Sequence, residues 1–204
     1  MKDFVCGVNL GGWLSQYATY DHEHFRTFIT RADIDQIASW GLDHVRLPVD
    51  YPVLESDDAV GVPLEEGYAY VEQCLQWCAD AGLAVILDVH DAPGFTFRND
   101  LEEGDAAANT LFTDPAVQDR LVALWETIVR RFADASVPII FELPNEVTLP
   151  DNGPWNALAS RTRTRRGQRV RAGGAARRPT PATSRASVSG SSRARSTTNS
   201  VRTS

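Results

Sequence analysis

Two hydrophobic periodicities alternate along the first 160 residues of the chain. Short runs of mostly apolar residues, the pattern of parallel strands buried on both faces, lie at 4–9, 42–49, 83–90 and 137–140. Between these runs, apolar residues recur every three or four positions, which is the spacing of an amphipathic helix. The chain therefore predicts strands and helices in alternation, with one pair about every 40 residues.

Local signals mark the ends of the predicted helices. Thr30, with Asp33 three residues later, approximates a capping box. Asp114 is placed to act as an N-cap, and Pro115 occupies the first turn that follows it. Gly82 follows the second helical stripe and can adopt the left-handed backbone that ends a helix. These signals predict three helices that begin and end where the strand runs require.

Alternating strands and helices indicate right-handed βαβ units and a parallel sheet. A doubly wound sheet and a closed barrel both satisfy that pattern. Polar residues stand at the ends of successive strands, whereas an open sheet concentrates its site at one switch point. The sequence therefore favours an α/β barrel with about four βα units, and 160 residues cover a little over half of the roughly 250 that a typical (β/α)8 TIM barrel needs.

Four polar segments follow the apolar runs, where parallel strands bring side chains to one rim. They read GVNLGGW, HVRLPV, LDVH followed two residues later by PG, and FELPNE. Taken alone, Glu146 fits a solvated strand end or a helix cap. Because four such strand ends converge, we predict one shared site with Glu146 as its catalytic acid.

This series resembles glycoside hydrolase family 5, the retaining β-glycosidases that include cellulases and exo-β-1,3-glucanases. The resemblance covers roughly residues 2–161, in the order of the family's motifs. It implies a (β/α)8 barrel, a β-linked glucoside or oligosaccharide as substrate, and no cofactor or metal. Pro144 and Val147 depart from the residues that are usual on either side of the family's Asn-Glu pair.

The resemblance also implies roles for individual residues. Glu146 corresponds to the general acid/base, and Asn145 to the amide that hydrogen-bonds the sugar 2-hydroxyl. Arg46 corresponds to the arginine that orients the nucleophilic carboxylate, and His90 to a histidine that contacts sugar hydroxyls. An arginine inside an apolar strand needs an anion in any case. Trp13 is equally consistent with a core residue and with an aromatic that stacks on a sugar face.

The nucleophile that the family carries on its seventh strand has no counterpart in residues 161–204. A retaining mechanism requires two carboxyl groups, so we expect this chain to be inactive or nearly so. Half a barrel would also leave sheet edges open, and we expect these edges to favour self-association.

The composition changes abruptly at Arg161. Residues 1–160 carry 27 acidic and 8 basic side chains, whereas residues 161–204 carry 12 Arg and no acid. The second segment is rich in Ser, Thr, Ala and Gly and has no aromatic residue, so we predict a barrel domain over 1–160 and a disordered tail over 161–204. A shift of reading frame would produce this onset. A basic arm that binds nucleic acid is the functional alternative, which the lack of Lys and aromatic residues disfavours.

No signal peptide pattern or membrane span is present, and we expect a cytoplasmic protein without a membrane partner. Three cysteines, Cys6, Cys74 and Cys78, fit reduced and buried thiols. The segment Asp21–His24 is predicted to be a polar loop on the side of the site.

Two rival functions stay open. One is a metal-dependent barrel hydrolase that uses His22, His24 and His90, although no further ligand pair follows at zinc-site spacing. The other is a protein that binds sugar or nucleic acid without catalysis.

Overall fold

The computed structural model describes residues 4–96, 109–145, 147 and 151–164. Its strands are β1 (Gly7–Asn9), β2 (His44–Val49), β3 (Ala84–Val89) and β4 (Ile139–Glu142). Its helices are α1 (His22–Thr27), α2 (Arg31–Ser39), α3 (Tyr51–Leu54), α4 (Glu65–Ala81), α5 (Pro115–Phe132) and α6 (Gly153–Thr164), with a 3₁₀ turn at Asp57–Ala59.

The four strands form one parallel sheet in the order β1-β2-β3-β4. Because each strand lies beside its predecessor, every right-handed crossover moves in the same direction and places its helix on the same face of the sheet. A doubly wound sheet would reverse this order at a switch point. The strand order therefore confirms the predicted half-barrel topology.

The two faces of the sheet differ in character. Val45, Leu47 and Val49 on β2 are fully buried, and their alternation along the strand puts them on the face that packs against the helices. Val85, Leu87 and Val89 repeat this pattern on β3. The opposite face carries the intervening residues, including Arg46, Asp88 and Glu142, and includes Ile140, which is 40% exposed.

The predicted helix ends are confirmed. Asp33 accepts a hydrogen bond from the backbone N–H of Thr30 at 2.8 Å, and the side chain of Asp114 accepts one from the N–H of Ala116 at 2.8 Å. Gly82 caps α4 with a φ of 72°, a backbone angle that residues with a Cβ rarely adopt. These caps fix the residues at which α2 and α5 begin and α4 ends.

One predicted loop is a helix. Asp21 accepts a hydrogen bond from the N–H of Glu23 at 2.9 Å and begins α1, while Phe25 is buried in the core. The prediction of a polar loop over Asp21–His24 is therefore wrong, because an N-cap and one buried aromatic anchor are enough to order this short segment.

The connection between β2 and α4 is closed at its base. Glu55 and Pro63 form an isolated antiparallel bridge, and the N–H of Leu64 donates to the carbonyl of Leu54 at 2.9 Å. Gly67 lies against Val53, where a Cβ would come within 1.6 Å of the carbonyl oxygen. Glycine at this position therefore allows α4 to approach α3 closely.

Helix α6 continues to Thr164, four residues beyond the boundary that we predicted at residue 160. Arg161 donates to Gln118 at 2.8 Å and pairs with Asp119, so the start of the basic segment is anchored on α5. Residues 165–204 lie outside the described residues.

The three cysteines differ in exposure. Cys74 and Cys78 are buried as predicted, whereas Cys6, which lies outside the sheet just before β1, is exposed.

Among the helices described, none combines the length and apolar character needed to span a bilayer.

Candidate functional site

Arg46 is the centre of a polar cluster on the open face of the sheet. Its Nε donates to Glu142 at 2.8 Å, and its Nη2 donates to Asp88 at 2.7 Å and to Asn145 at 2.9 Å. Its Nη1 donates to the side-chain oxygen of Asn9 at 3.0 Å. One guanidinium group therefore joins all four strands at the carboxyl-terminal side of the sheet.

The strand register explains this convergence. Asn9 pairs with Arg46, and Asp88 pairs with Glu142. Arg46 pairs with Ile86, two residues before Asp88, so its long side chain reaches forward to the two carboxylates. The anion that an arginine inside an apolar strand requires is thus supplied twice, by Asp88 and by Glu142.

Asp88 is completely buried and binds two donors through one oxygen. Its Oδ2 lies 2.7 Å from Arg46 Nη2 and 2.7 Å from His90 Nδ1. Burial raises the pKa of Asp88, and the contacts with His90 and Arg46 act in the opposite direction. His90 is itself 5% exposed and follows β3 directly.

Asn145 is held in one orientation by Arg46. A guanidinium donates hydrogen bonds only, so the atom that faces it must be the amide oxygen. The amide nitrogen is then a donor, and it is buried without an acceptor among the residues described. An oxygen that reached this nitrogen would remove the cost of a buried and unpaired donor, which is about 1–3 kcal/mol.

The structure brings together three of the predicted site residues, Arg46, His90 and Asn145. Glu146, the predicted catalytic acid, lies outside the described residues, although it directly follows Asn145. Its role and its protonation therefore remain predictions.

Trp13 belongs to the core. Its side chain is fully buried, its indole nitrogen donates to the carbonyl oxygen of Phe25 at 2.8 Å, and its ring stacks on Trp77. A ring without exposed area cannot stack on a sugar, so the predicted alternative of substrate binding is wrong. Gly12, with a φ of 76°, turns the chain so that Trp13 points inward.

The three histidines of the metal hypothesis have separate partners. His22 contacts Tyr70 and Glu66, and His24 lies 2.7 Å from the carbonyl oxygen of Gly12. His90 contacts Asp88. In the part of the chain that the structure describes, no group of three or more His, Cys, Asp or Glu side chains is arranged to hold a metal ion.

Asp50 joins three segments beside this cluster. It is 4% exposed, and it accepts hydrogen bonds from the backbone N–H groups of Gln16 at 3.1 Å and Asp91 at 3.2 Å. Burial, followed by the charge of Asp91, raises the pKa of Asp50 to about 7. This residue therefore ties the segments that follow β1, β2 and β3 to one another.

Sequence reasoning did not assign roles to Asp88 or Glu142. Each is a charged residue at the end of an apolar run, and neighbouring parallel strands place such residues side by side. A charge that interrupts an apolar strand opposite an arginine was the signal that could have identified them.

Comparison with known proteins identifies the family of this chain. Residues 7–178 match the model of the cellulase family, glycosyl hydrolase family 5. The chain is 48% identical over 158 residues to endoglucanase C of Acetivibrio thermocellus, covering 78% of this chain and 44% of that protein. It is 38% identical over 161 residues to cellodextrinase A of Ruminococcus flavefaciens, covering 78% and 45%. The chain thus spans less than half the length of these relatives.

Solved structures share the fold. A tri-modular endo-β-1,4-glucanase of Bacillus licheniformis, complexed with cellotetraose, superposes with a TM-score of 0.61 at 21% identity, covering 79% of this chain and 29% of that one. Endoglucanase Cel5A of Thermotoga maritima gives a TM-score of 0.56 at 22% identity, covering 76% and 45%. With the sequence match over residues 7–178, the chain belongs to glycosyl hydrolase family 5, the cellulase family.

Proposed function

We propose that this chain supplies the proton-donor half of a retaining β-glucan hydrolase. The observation that carries the proposal is the Arg46 cluster, which holds Asn145 at the carboxyl ends of four parallel strands, one residue before Glu146. The family resemblance assigns two roles to this Asn-Glu pair. Asn145 is the side-chain amide that binds the sugar, and Glu146 is the general acid/base. Family membership makes this chemistry the expected one.

In the proposed reaction, Glu146 protonates the leaving glycosidic oxygen, and a second carboxylate attacks the anomeric carbon to form a glycosyl-enzyme intermediate. Glu146, now deprotonated, then activates the water that hydrolyses this intermediate. The two carboxyl groups must stand about 5 Å apart. Because residues 161–204 offer no match to the family's nucleophile, we propose that the 204-residue chain alone does not complete the reaction.

Arg46 orients the side-chain amide of Asn145 for this reaction. With its oxygen bound to the guanidinium, Asn145 presents its NH₂ group as the donor to a sugar oxygen. A contact of this kind with the 2-hydroxyl strengthens as the transition state forms. His90, fixed by Asp88, supports the same sugar from the neighbouring strand.

We propose a β-1,4-linked glucan as the substrate class. The relatives at 48% and 38% identity are named endoglucanase and cellodextrinase, whereas those named glucan 1,3-β-glucosidase are 28–30% identical. The greater similarity to the first group supports the 1,4 linkage over the 1,3 linkage.

A chimaeric enzyme tests this proposal. Residues 7–160 of this chain would replace the aligned segment of the Acetivibrio endoglucanase C, which then supplies the remaining barrel strands. We expect the chimaera to release reducing ends from carboxymethyl cellulose, and we expect E146Q in the chimaera to lower kcat by about 10²- to 10⁴-fold.

Glu23→Gln, on the exposed side of α1, is the matched control and should leave kcat unchanged. A chimaera that has native circular dichroism but no hydrolysis, or an E146Q variant as active as E23Q, would overturn the proposal. The unmodified chain should give no turnover of an aryl β-cellobioside above background. Turnover that Glu146→Ala abolishes would refute the inactivity of the chain.

We propose further that copies of this chain associate through their open sheet. β1 and β4 form the edges of the described sheet, and Ile140 on the open face is 40% exposed. Light scattering on the purified chain should give a mass above that of one chain, and Ile140→Lys should lower it. A monomer at all concentrations would contradict this idea.

A further inference from the structure

Asp88 combines two unusual properties in one side chain. It is completely buried, and it binds two residues that the proposed function places beside the sugar. Both donors converge on Oδ2, while Oδ1 is buried without a hydrogen-bond partner among the described residues. Leaving a buried acceptor unpaired is destabilising, which a residue selected only for stability would avoid.

We propose that Asp88 is a positioning residue, which sets the protonated nitrogen of His90 and aligns the His90 ring with the guanidinium that holds Asn145. The inference rests on the proposed function for the statement that His90 and Asn145 contact sugar. The geometry of the three side chains is independent of it.

The hydrogen-bond chemistry fixes the tautomer of His90. Asp88 Oδ2 accepts from Arg46, so it acts as an acceptor toward the nearby ring nitrogen as well. Nδ1 of a neutral His90 therefore carries the proton, and Nε2 carries the lone pair. A sugar hydroxyl that met this ring would donate its proton to Nε2, whereas the other tautomer would require it to accept.

The same oxygen links the ring to the amide. Asp88 binds Arg46 Nη2, and Nη2 also donates to Asn145. A carboxylate on β3 therefore controls side chains at the ends of two strands. The charged groups that face Asp88 are Arg46 on β2, Glu142 on β4 and His90 on its own strand end.

The chain contains a matched pair for comparison. Asp43 and His44 are in contact through Asp43 Oδ1 and His44 Nδ1, but these side chains are 23% and 15% exposed. Asp43 also accepts hydrogen bonds from the backbone N–H groups of Val5 and Cys6. This pair lies at the opposite end of β2 and serves the fold rather than the cluster.

Nuclear magnetic resonance of the histidine ring nitrogens, recorded on the full chain at about pH 8, tests the proposal, because a ring nitrogen that carries a proton and one that carries a lone pair give different signals. The signals of His90 are assigned by their loss in His90→Gln. We expect the proton on Nδ1 in the unmodified chain. In Asp88→Ala, we expect the Nδ1-protonated fraction to fall at least twofold and the side-chain amide signals of Asn145 to shift.

Two further variants separate positioning from general structural damage. Asp88→Asn keeps an acceptor oxygen and should retain the Nδ1 tautomer, which is rescue by the conservative change. Asp43→Ala should change the signals of His44 only.

A bare Nδ1 in the unmodified chain would overturn the proposal without any variant having to fold. An Asp88→Ala chain with unchanged His90 and Asn145 signals would overturn it as well. These outcomes are separate from the chimaera assay. The expected tautomer of His90 can occur in a chain whose chimaera is inactive, and an active chimaera can occur with the other tautomer.

Discussion

The two faces of the sheet are built from the same strands on opposite principles. The helix-facing side of β2 and β3 consists of six aliphatic side chains that are almost fully buried, and it is held by packing. The open side carries Arg46 with two carboxylates and two amides, and it is held by directional hydrogen bonds. Stability and chemistry are thus separated by one residue along the strand, which lets the polar face change without rebuilding the core.

Removing the cation from the open face should have the largest effect. Arg46→Met leaves the buried carboxylate of Asp88 without its main counter-charge, and we expect a loss of about 3–5 kcal/mol in the free energy of unfolding near pH 8. Arg46 is one of the groups that lower the pKa of Asp88, so this pKa rises further in the variant. When the pKa of a carboxyl group is higher in the folded than in the unfolded chain, the folded protein loses stability as the pH rises. The loss of stability caused by Arg46→Met should therefore be smaller near pH 5 than near pH 8.

Arg31→Met is the control for Arg46→Met. Arg31 pairs with Asp35 and Asp80 at an exposed position, where solvent screens the charges, and its loss should cost far less than the loss of Arg46. Urea unfolding of both variants at the two pH values gives the comparison. Equal costs would mean that the open face behaves as ordinary surface.

A matched pair of truncations should sharpen the contrast between the faces. Leu87→Ala on the helix side removes a side chain that is 2% exposed, and we expect a loss of about 2–5 kcal/mol. Ile140→Ala on the open side removes one that is 40% exposed, and we expect about 1 kcal/mol or less. Chemical denaturation measures both. An equal cost would show that something covers the open face in solution.

The pH dependence of stability should carry a smaller contribution from Asp50. Its pKa is raised to about 7, so between its unfolded value and 7 the folded chain binds more protons than the unfolded one. Stability should therefore fall as pH rises through this window, by about 2 kcal/mol between pH 5 and pH 7 from this group alone. Asp50→Asn should remove that part of the slope, as urea unfolding across the window would measure. Unchanged slopes would contradict the assignment.

Much of the fold was predictable because its signals are local. The apolar runs at 42–49 and 83–90 correspond to β2 and β3, and the caps at Thr30, Gly82 and Asp114 lie where the sequence placed them. Helix α1 was missed because a single buried phenylalanine anchors it.

The site was predictable in part. The sequence indicated that Arg46 requires an anion, but the identity of the anions depends on strand register, a property of the tertiary structure. Trp13 shows the same limit. Its two possible roles differ only in the direction of one turn at Gly12, and Trp77, the partner that decides between them, lies on a helix far away in sequence.

The connection before α4 is a loop whose two ends are held together. The bridge between Glu55 and Pro63 and the tight approach of Gly67 to Val53 close its base, which is called the neck here. Val60 and Val62 at the tip are more than half exposed. Each doubling of a flexible loop adds only about 0.6 kcal/mol of closure entropy, so a foreign peptide grafted at Gly61 would leave the neck intact. The barrel rim thus offers a grafting point where new recognition elements can be displayed while the Arg46 cluster stays undisturbed.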